Sequence, residues 1–284
     1  MQTQEDNALT LHRFIPLLLF ALLLTSCGNG AEPTAKIGGV DLSPHWRGQE
    51  IVEVREVRAE LQGPGGFPAA ANLEAAANKR EREVDVYRDT VLTGTGTTLD
   101  ALHRRYLSSI RTTDGKSEPT VVNGNSYLIT APLGTCEVRR EVEGGLAAAT
   151  PKEVKKIRLS ILRIAASLLP EWPVVKGETW SPGRDLSVLA LQGKVEAEMR
   201  ARLKSVEEED GRRIATITCT MNARIPIGQR IGARLSGRET LLFDLDGGRV
   251  STYHSVTERF YPNGPGRKEG WVRTVTDVSV KKIR

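Results

Sequence analysis

The sequence is short of the residues that most reactions need. It has 4 histidines and 3 cysteines in 284 residues, and only 5% of its residues are aromatic. The histidines His45, His103 and His254 lie far apart, without the spacing of metal ligands. No G-x-S-x-G elbow, H-E-x-x-H helix, C-x-x-C pair or Walker-type glycine loop occurs. The sequence therefore offers no catalytic residue, metal ligand or cofactor site, and a protein that is not an enzyme is expected. So few aromatics also argue against a carbohydrate-binding surface. Asp244-Leu245-Asp246-Gly247-Gly248 begins like a calcium loop but lacks the further oxygen ligands and the closing glutamate, so it reads as a hairpin turn.

Long hydrophobic runs are also scarce. The clearest one, Phe14 to Leu24, would rise only about 16 Å as a helix, whereas a bilayer core is about 30 Å thick. That length suits the hydrophobic part of a secretory signal, with Arg13 on its N-terminal side. Leu24-Thr25-Ser26-Cys27 follows directly and resembles the lipobox of bacterial lipoproteins. The resemblance implies that residues 1–27 are a signal peptide and that Cys27 is the lipidated residue. More than one acyl chain on that cysteine would hold the protein firmly to a membrane. Gly28 in the next position implies, by the same resemblance, passage to the outer membrane where a cell has two. The expected location is the cell envelope, and the expected partners are the membrane itself and an envelope protein or lipid.

The net charge is +5 and the pI is about 9.2. In a cytosolic protein this would raise the question of nucleic acid, but export and the lack of aromatics among the basic residues argue against it. With Cys27 lipidated, Cys136 and Cys219 remain. An oxidising envelope permits a disulfide between them, worth roughly 4–5 kcal/mol in the chain-entropy picture, and two buried thiols are the alternative.

Residues 28–48 are small and polar and read as a flexible tether. Residues 49–149 read as a β-rich half, with strands around Val52–Val57, Val84–Tyr87 and Arg104–Thr112 and a hairpin of Ser126–Thr130 with Thr135–Glu141. Residues 150–284 read as a helix followed by an antiparallel sheet. Thr150-Pro151-Lys152-Glu153 is a capping box with proline at the first helical position. Val154, Ile157, Ile161, Ala165 and Leu168 continue it as an apolar stripe, giving a helix over about 151–169. From Val195 to Leu203 apolar and charged residues alternate without fault. Four more strands follow, separated by Asp210-Gly211 and Asp246-Gly247-Gly248.

Leu169-Pro170-Glu171-Trp172-Pro173-Val174-Val175-Lys176-Gly177-Glu178-Thr179-Trp180 resembles the L-P-x-x-P-V-x-x-G-x-x-W junction of a group of uncharacterised β-rich bacterial envelope lipoproteins. In that group a helix precedes the junction and an antiparallel sheet follows it. The fold class expected is α+β, with curved antiparallel sheets under one main covering helix. By architecture this is similar to the half-barrel lipoprotein carriers of bacterial envelopes. Val195, Ala197, Met199, Leu203 and Trp180 are the residues that would line an apolar ligand in such a half-barrel. The main functional expectation is nevertheless a lipid-anchored scaffold or interaction module with a closed core, and a carrier of lipid or another apolar ligand is the alternative.

Overall fold

In the computed structural model the described residues are 38–63, 80–96, 98–132, 136–158, 168–182, 196–227, 230–261 and 270–283. Residues 1–37, which include the segment read from the sequence as a signal peptide and Cys27, lie outside them. Chain order runs β1 (Trp46–Arg47), β2 (Ile51–Gln62), β3 (Arg80–Gly96), β4 (Thr98–Thr113), β5 (Lys116–Pro119), β6 (Ser126–Thr130), β7 (Glu137–Val142) and β8 (Gly145–Ala148). Then come α1 (Pro151–Arg158), β9 (Thr179–Trp180), β10 (Glu196–Glu209), β11 (Arg212–Ile227), β12 (Arg230–Asp244), β13 (Arg249–Tyr261) and β14 (Gly270–Lys282).

All of these strands belong to one 14-stranded antiparallel sheet, in the order β8-β7-β6-β4-β3-β2-β14-β13-β12-β11-β10-β9, with β1 beside β3 and β5 beside β4. The seam between the first and last parts of the chain is β2 against β14, from Val52↔Lys282 to Gln62↔Val272. The two halves of the sequence thus share a single sheet.

The expected α+β architecture is not what the chain builds. The protein is mostly antiparallel sheet, and its described helix has eight residues, Pro151–Arg158, rather than spanning 151–169; residues 159–167 lie outside the described residues. Scale explains why a single helix does not cover this sheet. A strand of 17 residues such as β3 is roughly 56 Å long, against about 12 Å for an eight-residue helix. Extended segments do much of the covering instead.

One of these segments is residues 38–50, most of which fall in the expected tether of 28–48. Val40 forms a reciprocal bridge with Val174, at 2.7 and 3.0 Å, and Leu42 is fully buried. The His45 N–H then donates to the Gly248 carbonyl at 2.8 Å. Val40, Leu42 and Trp46 sit two or four residues apart on one side of an extended chain, a spacing easily lost among small polar neighbours. Buried Glu50 closes this strap with ion pairs to Arg249 and Lys282. The second segment, 168–180, follows the helix region. The Trp180 indole N–H donates to the Leu168 carbonyl at 2.9 Å, and Leu203 exchanges backbone bonds with Gly177 and Glu178. Beneath these straps Leu203, Ile217, Leu241 and Phe243 are at most 1% exposed.

The expected strands are present, and β2, β3, β4 and β10 run longer than their sequence signals. The hairpin of 126–130 with 135–141 is β6 with β7, in the register Tyr127↔Arg140. Asp210 and Gly211 turn β10 into β11 with positive φ, 52° and 72°. The capping box also forms: Thr150 N–H donates to Glu153 Oε2 at 2.7 Å, and Glu153 N–H to Thr150 Oγ1 at 3.4 Å.

Candidate functional site

Register places Val278, Glu56, Asp85 and Ser109 in one row across the inner face of β14, β2, β3 and β4. The next row holds Thr276, Arg58, Glu83 and Arg111. The inner face is therefore apolar toward the straps and charged beyond them. Lys156 reaches down from α1 and bonds both Glu83 and Asp85. Arg111 holds Glu83 from the other side at 2.9 Å. Ser109 donates to Asp85 and also bonds Thr120.

Protonation within this cluster follows from the packing. Burial, with the negative charge of Asp85 next in weight, pushes the Glu56 carboxyl up to about 7, against the pull of Lys156 and Arg104. Glu83 moves the other way: burial opposes its charge, but Lys156 and Arg111 outweigh burial and hold it below its ordinary value. Two carboxylates on neighbouring strands thus differ in their tendency to ionise.

Beside this cluster Arg104 lies over the Tyr87 ring, 4.0 Å from its centroid, and Tyr87, Tyr106 and Tyr127 form a chain of ring contacts at 5.3 and 6.0 Å. Tyr127 donates to Glu153 at 2.7 Å, so the capping carboxylate also fastens α1 to β6. Sequence reading missed the group because it relied on the valines. Val84 and Val86 lie on the outer face, whereas Asp85, Tyr87 and Asp89 point inward, the reverse of what valine-rich alternation suggests.

The outer face has apolar ground of its own. Val57, Val84 and Ile110 are neighbours across β2, β3 and β4, and Val256, Val275 and Ala59 form the adjoining row. Two open clefts flank this area. One, about 640 Å³, has Ala59, Leu61 and Val275 between Arg80, Arg82 and Arg273. The other, about 560 Å³, is lined from both faces: Phe260, Arg224 and Arg234 belong to the outer face, and Leu235, Ala223 and Ala197 to the face of Met199 and Met221. Under the first strap, by contrast, the pocket between Trp46, Leu169, Phe243 and Val280 measures only about 30 Å³. That is room for about one water molecule.

The residues expected to line an apolar ligand divide among these regions. Leu203 is fully buried and Trp180 is 6% exposed, both packed beneath the second strap. Met199 is buried opposite Met221, and Ala197 is exposed at the 560 Å³ cleft. Val195 lies outside the described residues. Cys136 and Cys219 are both buried. Of the histidines, His103 faces Glu141 at 3.0 Å and His254 faces Asp277 at 2.6 Å. Among the described residues, no group of three or more histidine, cysteine or acidic side chains is arranged to hold a metal ion. No described helix is long and apolar enough to cross a membrane.

No protein-family profile and no curated protein matches the chain. Among solved structures it is similar to a lipovitellin, in a study of lipid–protein interactions in that protein, at 10% identity and a TM-score of 0.40. The match covers 83% of this chain and 25% of lipovitellin, so the chain spans about a quarter of that protein's length.

Proposed function

We propose that this chain is an exported, lipid-anchored envelope protein that works by binding rather than catalysis, as an interaction module whose outer sheet face meets its partner. The lipobox pattern ending at Cys27 supports the compartment and the anchor. The contrast between the two faces carries the choice of binding surface. Beneath the first strap the pocket measures about 30 Å³, space for about one water, while a cleft of about 640 Å³ opens on the outer side. That volume falls within the range of ligand pockets, and an apolar floor of Ala59, Leu61 and Val275 edged by both arginines and acids suits a partner that brings an apolar group.

The second reading, a carrier of lipid or another apolar ligand, draws on the pair Met199 and Met221. These unbranched side chains face each other on the buried side of β10 and β11 and can adapt to varied apolar shapes.

Native mass spectrometry of the protein, extracted from its own membranes in mild detergent, separates the two. The interaction module predicts the mass of the chain with its N-terminal lipid and nothing more. An additional lipid-range mass that disappears in Met199→Trp would replace it with the carrier. Partner capture that is lost in Leu61→Arg but kept in Leu92→Arg would identify the 640 Å³ cleft as the meeting point.

A further inference from the structure

The two ends of the sheet are treated differently. At one end β9 and the Gly177–Glu178 backbone cover the middle of β10, and Lys204, Glu207, Glu208 and Glu209 charge the rest of that strand. These are ordinary protections against pairing with another chain. At the other end β8 is short, but among the described residues it carries no charge, no proline and no covering strand. Its sequence is Gly-Leu-Ala-Ala, and all four residues are exposed. Leu146 is 45% exposed and Val142, just before the turn, 46%.

The edge is also held in a fixed register. Val142 and Gly145 flank the two-residue turn Glu143-Gly144, and Gly144 and Gly145 have positive φ, 87° and 151°. A two-residue hairpin turn makes its flanking residues a hydrogen-bonded pair, after which bonded and non-bonded pairs alternate. Gly145 and Ala147 therefore spend their backbone groups on β7. Leu146 and Ala148 turn their N–H and C=O outward, where no backbone partner meets them among the described residues. Downstream, the Thr150–Glu153 cap and the bond from Glu153 to Tyr127 pin the chain, so this edge is already ordered before anything meets it.

We infer that β8 pairs antiparallel with β8 of a second copy of this chain, with Leu146 opposite Ala148 of the other copy and the two Ala147 residues face to face. Four main-chain hydrogen bonds result from the two Leu146–Ala148 pairs. The segment suits itself because no like charges meet: every directly opposed residue is Leu or Ala. Within one row, Glu141 beside Leu146 in one copy faces toward Arg139 beside Ala148 in the other, so the flanking charges are opposite in sign. A four-residue pairing buries less than a standard protein interface, so the association is weak in dilute solution. Copies tethered to one membrane would meet at a much higher effective concentration. The inference concerns an edge that lies apart from the two clefts, and it stands whatever occupies those clefts.

Disulfide trapping in the full-length protein, in membranes or mild detergent, tests the register. Ala147 would face its counterpart as a non-bonded pair, with Cα atoms about 4.5 Å apart and within disulfide range. Leu146 and Ala148 would each lie roughly 9 Å from their own counterparts, beyond that range. Ala147→Cys should therefore form dimers roughly tenfold faster than Leu146→Cys or Ala148→Cys. Adding Ala148→Pro, which deletes an outward N–H but no bond to β7, should abolish the difference. Equal rates for the three cysteine variants, with an unchanged unfolding midpoint as proof of folding, would overturn the pairing. So would trapping of Ala147→Cys on a different protein.

Discussion

Arg104 stands opposite Asp89 across β3 and β4 and grips it at two points, Nε to Oδ1 at 2.7 Å and Nη2 to Oδ2 at 2.6 Å, with both side chains 1% exposed. Burial alone would discourage the guanidinium charge; Asp89 outweighs that and raises the pKa of Arg104 further above its ordinary value.

Removing one partner of this pair should cost far more than removing both. Asp89→Ala strands a buried cation and is expected to destabilise by roughly 3–5 kcal/mol. The double variant Asp89→Leu, Arg104→Met should lose less, because neither charge then has to be desolvated. Denaturant midpoints of the two variants check this. A larger loss in the double variant would contradict it.

Glu56 makes stability depend on pH in a direction opposite to most carboxylates. Its folded-state pKa, about 7, lies above the ordinary 4.5, so the folded protein holds the proton more tightly than the unfolded chain. Its contribution is complete below about 4.5 and declines as pH rises toward 7. Glu56→Gln, which stays neutral, should flatten the profile across that window and be more stable than the natural protein at pH 8. Thermal midpoints from pH 4 to 8 provide the comparison.

Glu153 should show the opposite dependence. Burial opposes its charge, but the Thr150 N–H, the Tyr127 hydroxyl and Arg140 more than offset this and hold its pKa below the ordinary 4.5. Its contribution is present above that value and is lost as pH falls through the folded-state pKa. Thr150→Ala removes only the cap and should cost about 1 kcal/mol. Glu153→Gln weakens the cap and the link to β6 together and should cost more, with a smaller response to acid.

The turn between β12 and β13 should be intolerant of a side chain. Gly248 has φ of +61°, and a Cβ there would come within 2.7 Å of His45 Cβ. Gly248→Ala is expected to cost more than about 1 kcal/mol and to loosen the first strap. Faster proteolysis between residues 38 and 48 would report that loosening. Adding His45→Gly should recover part of the loss by removing the clash.

Much of the local structure was legible in the chain itself, because strands and turns are written at close range. Strict alternation from Ala197 to Leu203, Asp210-Gly211 at the β10–β11 turn and the Thr150–Glu153 box each act over a few residues, and each forms where its pattern stands. The charged inner cluster was not legible. Glu56, Asp85 and Lys156 come from three elements up to 100 positions apart, and the outer-facing valines of β3 pointed to the wrong side.

By itself, then, the sequence determined that this is a strand-rich chain. Alternation, turn residues and short motifs are local and need no fold to be read. The tertiary structure alone decided that β2 joins β14, making one sheet of two halves, and that residues 40–48 become a strap anchored by buried Leu42. Strand pairing between distant segments depends on which partner buries the most apolar surface at a matching register. That is a property of the whole chain, and no window of the sequence contains it.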